Sequence, residues 1–93
     1  MTRKLSFNDR IIKTLSDLQS KQYKQVHVTI LRLMQDATPH DSKPLVGYEP
    51  FRRVDIGEYR IVYRFDDDSV YIALVGKRSD DEVYRELRNL LRR

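Results

Sequence analysis

Residues 51–77 read FRRVDIGEYRIVYRFDDDSVYIALVGK, and this run decides the fold. Gly57-Glu58 separates two stretches rich in β-branched and aromatic residues, 51–56 and 59–65. Glycine at the first central position of a two-residue loop suits a type II′ hairpin turn. Asp66-Asp67-Asp68-Ser69 forms the next turn, and residues 70–75 are almost continuously apolar, as expected of a central strand. The acidic run reads as a solvated turn rather than a metal cluster.

The turn lengths predict the registers. Ile56 pairs with Tyr59, Val54 with Ile61, Asp55 with Arg60, Arg53 with Val62 and Phe51 with Arg64. The second hairpin pairs Phe65 with Val70, Arg64 with Tyr71, Tyr63 with Ile72, Ile61 with Leu74 and Arg60 with Val75. Side chains alternate between faces, so these pairs sort into two sets. One set is apolar (Val54, Ile56, Tyr59, Ile61, Tyr63, Phe65, Val70, Ile72 and Leu74), and the helices are expected to pack there. The other carries Arg53, Arg60, Arg64 and Lys77 with Asp55, Phe51 and Tyr71, beside Val62, Ala73 and Val75. That predicts an open, basic, aromatic-bearing face. Guanidinium groups clamp phosphates and stack on bases, so such a face suits RNA. Its plain alternative is a solvated face with cross-strand ion pairs such as Asp55–Arg60.

Upstream, residues 4–7 alternate apolar and polar and read as a short first strand. Asn8 is placed as an N-cap with Asp9 in the first turn, ahead of Ile11, Ile12, Leu15 and Leu18 at helical spacing. Ser20 is placed as the cap of a second helix with Tyr23, Val26, Ile30, Leu33 and Met34 on one stripe, widened by Val28 and Leu31. The two helices form an αα-hairpin. Residues 37–50, with Pro39, Pro44, Gly47 and Pro50, read as a long loop. Downstream, Ser79 and Glu82 form a capping box before a last helix bearing Val83, Leu87, Leu90 and Leu91 and ending in Arg92-Arg93. The whole reads as one α+β domain, residues 1–93.

The chain has 93 residues, enough for one small core. It has no cysteine, which excludes disulfides, zinc–thiolate sites and thiol nucleophiles. No apolar run approaches the ~18 residues of a membrane span, and the N-terminus lacks an apolar signal core, so a cytoplasmic protein is expected. The net charge of +4 points mildly to a polyanionic partner, nucleic acid or an acidic protein. His27 and His40 are too isolated to form a metal site or a catalytic pair. Tyr84 lies early in the last helix, where it serves packing or function. Arg78 precedes that helix, where a cation is electrostatically unhelpful, which favours a functional reason.

Leu45-Val46-Gly47, then Gly57-Glu58-Tyr59-Arg60-Ile61-Val62-Tyr63, then Val75-Gly76-Lys77-Arg78 and Glu82-Val83-Tyr84 together resemble the RelE/ParE family of bacterial toxins from type II toxin–antitoxin pairs. The resemblance covers the whole chain. It implies a short N-terminal strand and helical hairpin packed on a mostly antiparallel four-stranded sheet, with a C-terminal helix. RelE-like members cleave mRNA in the ribosomal A site; ParE-like members inhibit DNA gyrase without catalysis. The Gly76-Lys77-Arg78 run with Tyr84 six residues on resembles the RelE branch. By that resemblance, Arg60 stabilises a phosphorane-like transition state and Arg78 acts at the leaving 5′-oxygen. Tyr84 stacks on or orients the mRNA base, and Arg53 stands at a basic position of the strand. Arg52, Arg64 and Lys77 are expected as further RNA contacts.

Such cleavage by the adjacent 2′-hydroxyl needs a proton acceptor, a proton donor and cations, and no metal or other cofactor. Where the family has a second basic residue on the strand, this chain has Asp55. The general base is then Asp55, Glu58 or Lys77, or the site works by electrostatics and positioning, and Asp55 is alternatively a salt-bridge partner of Arg60. The resemblance further implies a cognate antitoxin, the ribosome and mRNA as partners, and operator DNA only through the antitoxin complex. A gyrase inhibitor and an inactive antitoxin-binding relative are the alternatives.

Overall fold

The structure, a computed structural model, describes residues 2–79 and 82–92. Strand β1 (Lys4–Phe7) leads into α1 (Asp9–Ser16) and α2 (Ser20–Gln35). Then come β2 (Lys43–Pro44), β3 (Arg52–Ile56), β4 (Tyr59–Phe65), β5 (Ser69–Lys77) and α3 (Glu82–Leu91). The sheet order is β1-β5-β4-β3-β2, with β1 parallel to β5 and every other pair antiparallel. The α+β class and the hairpin before the sheet are as expected. The sheet has five strands rather than four, because Lys43 and Pro44 of the long loop pair with Arg53 and Arg52.

Asn8 caps α1: its Oδ1 accepts from the Ile11 N–H at 3.2 Å. Ser20 does not cap α2. It is the first helical residue, Gln19 holds the cap position, and no side chain satisfies the free N–H groups there. Val26, Ile30 and Leu33 are buried as expected, whereas Val28 and Leu31 face outward, 54% and 46% exposed. A helix lying on a flat sheet buries only one stripe, and these two fall outside it. His27 stacks on Tyr23 at the surface, ring centroids 5.7 Å apart. The proposed Ser79–Glu82 capping box turns on the Glu82 side chain, which lies outside what the structure describes, as does Arg93.

The β3–β4 register is as predicted from Ile56↔Tyr59 to Arg53↔Val62, the ladder ending at Arg52↔Tyr63 before the expected Phe51–Arg64 pair. Gly57 has φ +58° with no positive φ at Glu58, the pattern of a type II′ turn. The β4–β5 register is as predicted only from Phe65↔Val70 to Tyr63↔Ile72. Beyond that a bulge intervenes, and Val62 pairs with Leu74, Ile61 with Val75, Arg60 with Gly76 and Tyr59 with Lys77. One extra residue reverses the face of everything after it. Leu74 and Val75 therefore exchange the faces predicted for them, and Lys77 shares the face of Tyr59 rather than that of Arg60.

This exchange gives the sheet two apolar layers. On one side, Val54, Ile61, Tyr63, Val70, Ile72 and Val75 pack with Ile11 of α1 and Val26, Ile30 and Leu33 of α2. The Tyr63 hydroxyl, fully buried, donates to the Ala37 carbonyl at 2.7 Å. On the other side, Val62, Ala73 and Leu74 pack with Leu45, Phe51 and the α3 residues Val83 and Leu87. The second face is thus not the open platform expected, because α3 covers its middle. Burial of Val83 and Leu87 contributes about 1.5–3 kcal/mol each relative to exposure.

The helix comes closest at Gly76, where a Cβ would lie 2.5 Å from Val83 Cγ2. Gly76→Ala should therefore lower stability by about 1–3 kcal/mol. In a urea titration, Gly76→Ala combined with Val83→Ala should lose clearly less than the two single losses added together, because the second change removes the clash.

Candidate active site

Register delivers the central groups. Asp55 of β3 lies directly opposite Arg60 of β4, and Arg53 two residues earlier shares its face. The Asp55 carboxylate grips Arg60 with both oxygens: Arg60 Nε donates to Oδ1 at 2.7 Å and NH2 to Oδ2 at 3.2 Å. Arg53 NH1 adds a longer contact to Oδ2 at 3.4 Å. From α3, the Tyr84 hydroxyl accepts from Arg60 NH1 at 2.5 Å, and the Arg60 guanidinium carbon lies 5.8 Å from the Tyr84 ring centroid. The Arg60 side chain is only 15% exposed, and three hydrogen bonds to two residues, Asp55 and Tyr84, hold it in one orientation.

The Arg60 hydrogen bond holds the Asp55 carboxyl below its ordinary value against a desolvation effect that raises it; the charges of Arg60, Arg53 and Arg78 act in the same direction. Hydrogen bonding to Asp55 correspondingly raises Arg60 above its ordinary value. A carboxylate with both oxygens engaged and a lowered pKa is a weak proton acceptor. Its geometry is that of a group that aims Arg60.

The other residues divide. Arg78 follows β5, its N–H bonded to the Glu58 carbonyl at 2.9 Å, and its charge reaches Asp55. Arg60, Arg78, Tyr84, Arg53 and Asp55 therefore gather at one end of the sheet. Arg64 stands four residues along β4, roughly 13 Å away at strand rise. Its guanidinium lies between Phe51 and Tyr71, 5.9 and 6.0 Å from the ring centroids. Arg52 is opposite Tyr63 and so belongs to the α1–α2 face, contrary to the expected role; its NH2 donates to Ser42 Oγ at 2.9 Å. Lys77 has turned from the Arg60 face and, with Glu58, Arg78 and Ser79, lines a shallow groove at the end of the hairpin. The Asp66 carboxylate accepts from the Asp68 and Ser69 N–H groups, both at 2.8 Å, and so closes its own turn.

Sequence reasoning missed Tyr48, Arg85 and Arg88, which with Tyr84 line a groove of about 670 Å³. The positions of Arg85 and Arg88, one and four after Tyr84, were readable as one helix face. Nothing in the sequence connects Tyr48 to them.

The lowered Asp55 pKa makes a signed prediction. A depressed carboxyl contributes stability above its unfolded value and loses it as pH falls through the folded value. Asp55→Asn should cost about 1 kcal/mol at pH 7 in urea unfolding. The gap to the parent should narrow as pH drops below the ordinary aspartate range and close once the folded value is passed.

The profile of the family described as "ParE toxin of type II toxin-antitoxin system, parDE" matches residues 5–82. Several solved structures are similar. A double arginine-to-alanine variant of Escherichia coli toxin RelE in the free state is 26% identical with a TM-score of 0.80, covering 96% of this chain and 97% of that one. The same E. coli variant in complex with a RelB antitoxin peptide is 26% identical with a TM-score of 0.73, covering 94% and 95%. A RelBE-type toxin–antitoxin complex from Mycobacterium tuberculosis is 25% identical with a TM-score of 0.72, covering 86% and 95%. No curated protein sequence matches the chain. The family match spans most of the chain, and the five-stranded sheet flanked by three helices aligns with RelE nearly end to end: this chain belongs to the ParE toxin family of type II toxin–antitoxin systems, within the RelE/ParE superfamily.

Proposed function

We propose that this toxin is a metal-independent endoribonuclease that cuts mRNA on the ribosome, with Arg60 and Tyr84 at the reacting phosphate. The observation that carries the reading is the Arg60–Tyr84 contact, which joins β4 to α3 within reach of the charges of Arg53 and Arg78. In the reaction, the 2′-oxygen attacks the neighbouring phosphorus and loses its proton, and the phosphorus–5′-oxygen bond breaks. The products are a 2′,3′-cyclic phosphate and a 5′-hydroxyl, which takes up a proton. The phosphorane-like transition state carries extra negative charge on its non-bridging oxygens. Arg60 is already oriented by Asp55, so it meets that charge without reorganising, the condition under which electrostatic stabilisation is most effective.

The Tyr84 oxygen accepts from Arg60, which leaves its own O–H free to donate toward the substrate. Arg78, exposed at the sheet end, stands on the leaving-group side. Asp55 serves as the orienting carboxylate rather than the base. Positioning by the ribosome supplies much of the remaining rate, since orientation alone contributes ~7–11 kcal/mol in favourable cases. Arg64, farther along β4, contacts the RNA beyond the cut. The partner that silences the toxin is an antitoxin, as in the E. coli and M. tuberculosis complexes, and an acidic segment of it would complement the arginines.

The second reading is a non-catalytic gyrase inhibitor, favoured by the fact that the matching family is the ParE one. One experiment separates them: induce the protein without antitoxin, map transcript ends and measure plasmid supercoiling. Ribosome-dependent cuts inside translated regions are expected; intact transcripts with lost supercoiling would move the assignment to gyrase.

Arg60→Ala should lower the cleavage rate by about 10²–10³-fold, and Arg78→Ala by a comparable factor, with the circular dichroism spectrum unchanged. Full toxicity of both variants would remove these residues from the site. Tyr84→Phe keeps the ring and loses the hydroxyl, so a larger loss in rate than in ribosome affinity is expected.

A further inference from the structure

Beyond the Arg60 cluster, Tyr48, Tyr84, Arg85 and Arg88 line the groove of about 670 Å³. That volume is within the range of pockets that hold small organic ligands. Among the described residues its walls combine two phenol rings and two guanidinium groups and no carboxylate. We infer that Tyr48, Arg85 and Arg88 make this groove a nucleotide subsite beyond the stacking already expected of Tyr84, the Tyr48 ring covering the base next to the scissile linkage and Arg85 and Arg88 taking its phosphate. The inference rests on the RNA-cleavage reading and adds a site to it.

Three features support the assignment. The groove shares Tyr84 with the Arg60 cluster, so a strand entering it continues directly to the reacting phosphate. The aromatic walls are also fixed in advance. The Tyr48 N–H donates to the Leu45 carbonyl at 2.9 Å and its carbonyl accepts from the Phe51 N–H at 3.0 Å, and its half-buried side chain packs against the core cluster of Leu45, Phe51, Val83 and Leu87. The Tyr84 hydroxyl is held by Arg60. Rigid aromatic walls lose little entropy when a base stacks on them. Finally, Arg85 and Arg88 stand three residues apart on α3, so their side chains project as neighbours, roughly 5–6 Å between Cβ atoms, a spacing that lets both reach one phosphate. Both are exposed, and neither forms an ion pair among the described residues. Stacking and phosphate contacts are tolerant of sequence, so the subsite supplies affinity and leaves codon choice to the reacting end.

The test uses ribosomes carrying an mRNA whose A-site codon is 2′-O-methylated and cannot be cut, titrated with labelled full-length protein. Tyr48→Ala and Arg88→Ala should each raise Kd roughly tenfold, and Tyr48→Phe should stay within about twofold, because the ring and not the hydroxyl does the stacking. On ribosomes without mRNA all variants should bind as the parent does. Unchanged Kd for Tyr48→Ala and Arg88→Ala would overturn the subsite, as would an equal loss on empty ribosomes, which would mark these residues as ribosomal RNA contacts. Should Tyr48→Ala fail to fold, Arg88→Ala, at the surface, decides alone. A parallel assay with an unmethylated codon separates the two claims. Cutting by the parent with no effect of the variants removes only the subsite, and no cutting by the parent removes the nuclease reading with it.

Discussion

The distance between α3 and β5 governs the rest of the molecule. Val83 rests on Gly76 where no other residue leaves room, and Gly76 is the partner of Arg60 across the sheet. The residue after Val83 is Tyr84, which therefore arrives at the Arg60 guanidinium. A short helix of ten residues would be marginal alone; packing of Val83 and Leu87 on the sheet makes it stable. The same two contacts that hold α3 in place thus set the geometry of the Arg60–Tyr84 contact, and stability and candidate site are coupled through a single glycine.

Electrostatics at that end are built around a carboxylate among cations. Asp55 neutralises part of the field of Arg53, Arg60 and Arg78, and in exchange fixes Arg60 with two hydrogen bonds. Three guanidinium groups without a counter-charge would repel one another and hold no defined orientation. With Asp55 present, Arg60 is preorganised, and a net positive charge remains for a phosphate. Where the family resemblance implies a second basic residue on β3, this chain places the carboxylate that orients Arg60.

The two faces of the sheet have separate tasks. One carries the larger core, closed by α1 and α2, with the Tyr63 hydroxyl tying β4 to the start of the long loop at Ala37. The other is covered only in its middle, by α3 and by Leu45 and Phe51, and its two ends remain polar. Arg60 and Tyr84 occupy one end; Arg64, between Phe51 and Tyr71, occupies the other. A polyanion lying along this face would meet cations at both ends of β4.

The fold class, the hairpins and the interior place of β5, between β1 and β4, were legible in the sequence, because they follow from period-two alternation, turn chemistry and helix spacing that act over a few residues. So was the Asp55–Arg60 pair, which the two-residue turn fixes by counting. The bulge between Ile72 and Leu74 was not legible, since an apolar run such as Ile72-Ala73-Leu74-Val75 fits either register with equal hydrophobicity. That single extra residue turned Lys77 away, gave the second face an apolar centre and so determined where α3 docks. The convergence of Tyr48 with Arg85 and Arg88 was likewise a matter of tertiary structure, because no local rule links a loop tyrosine to a helix more than thirty residues later. Sequence by itself determined which groups exist and which strand partners they meet; the packing of one helix on one bulged strand decided which of them share a site.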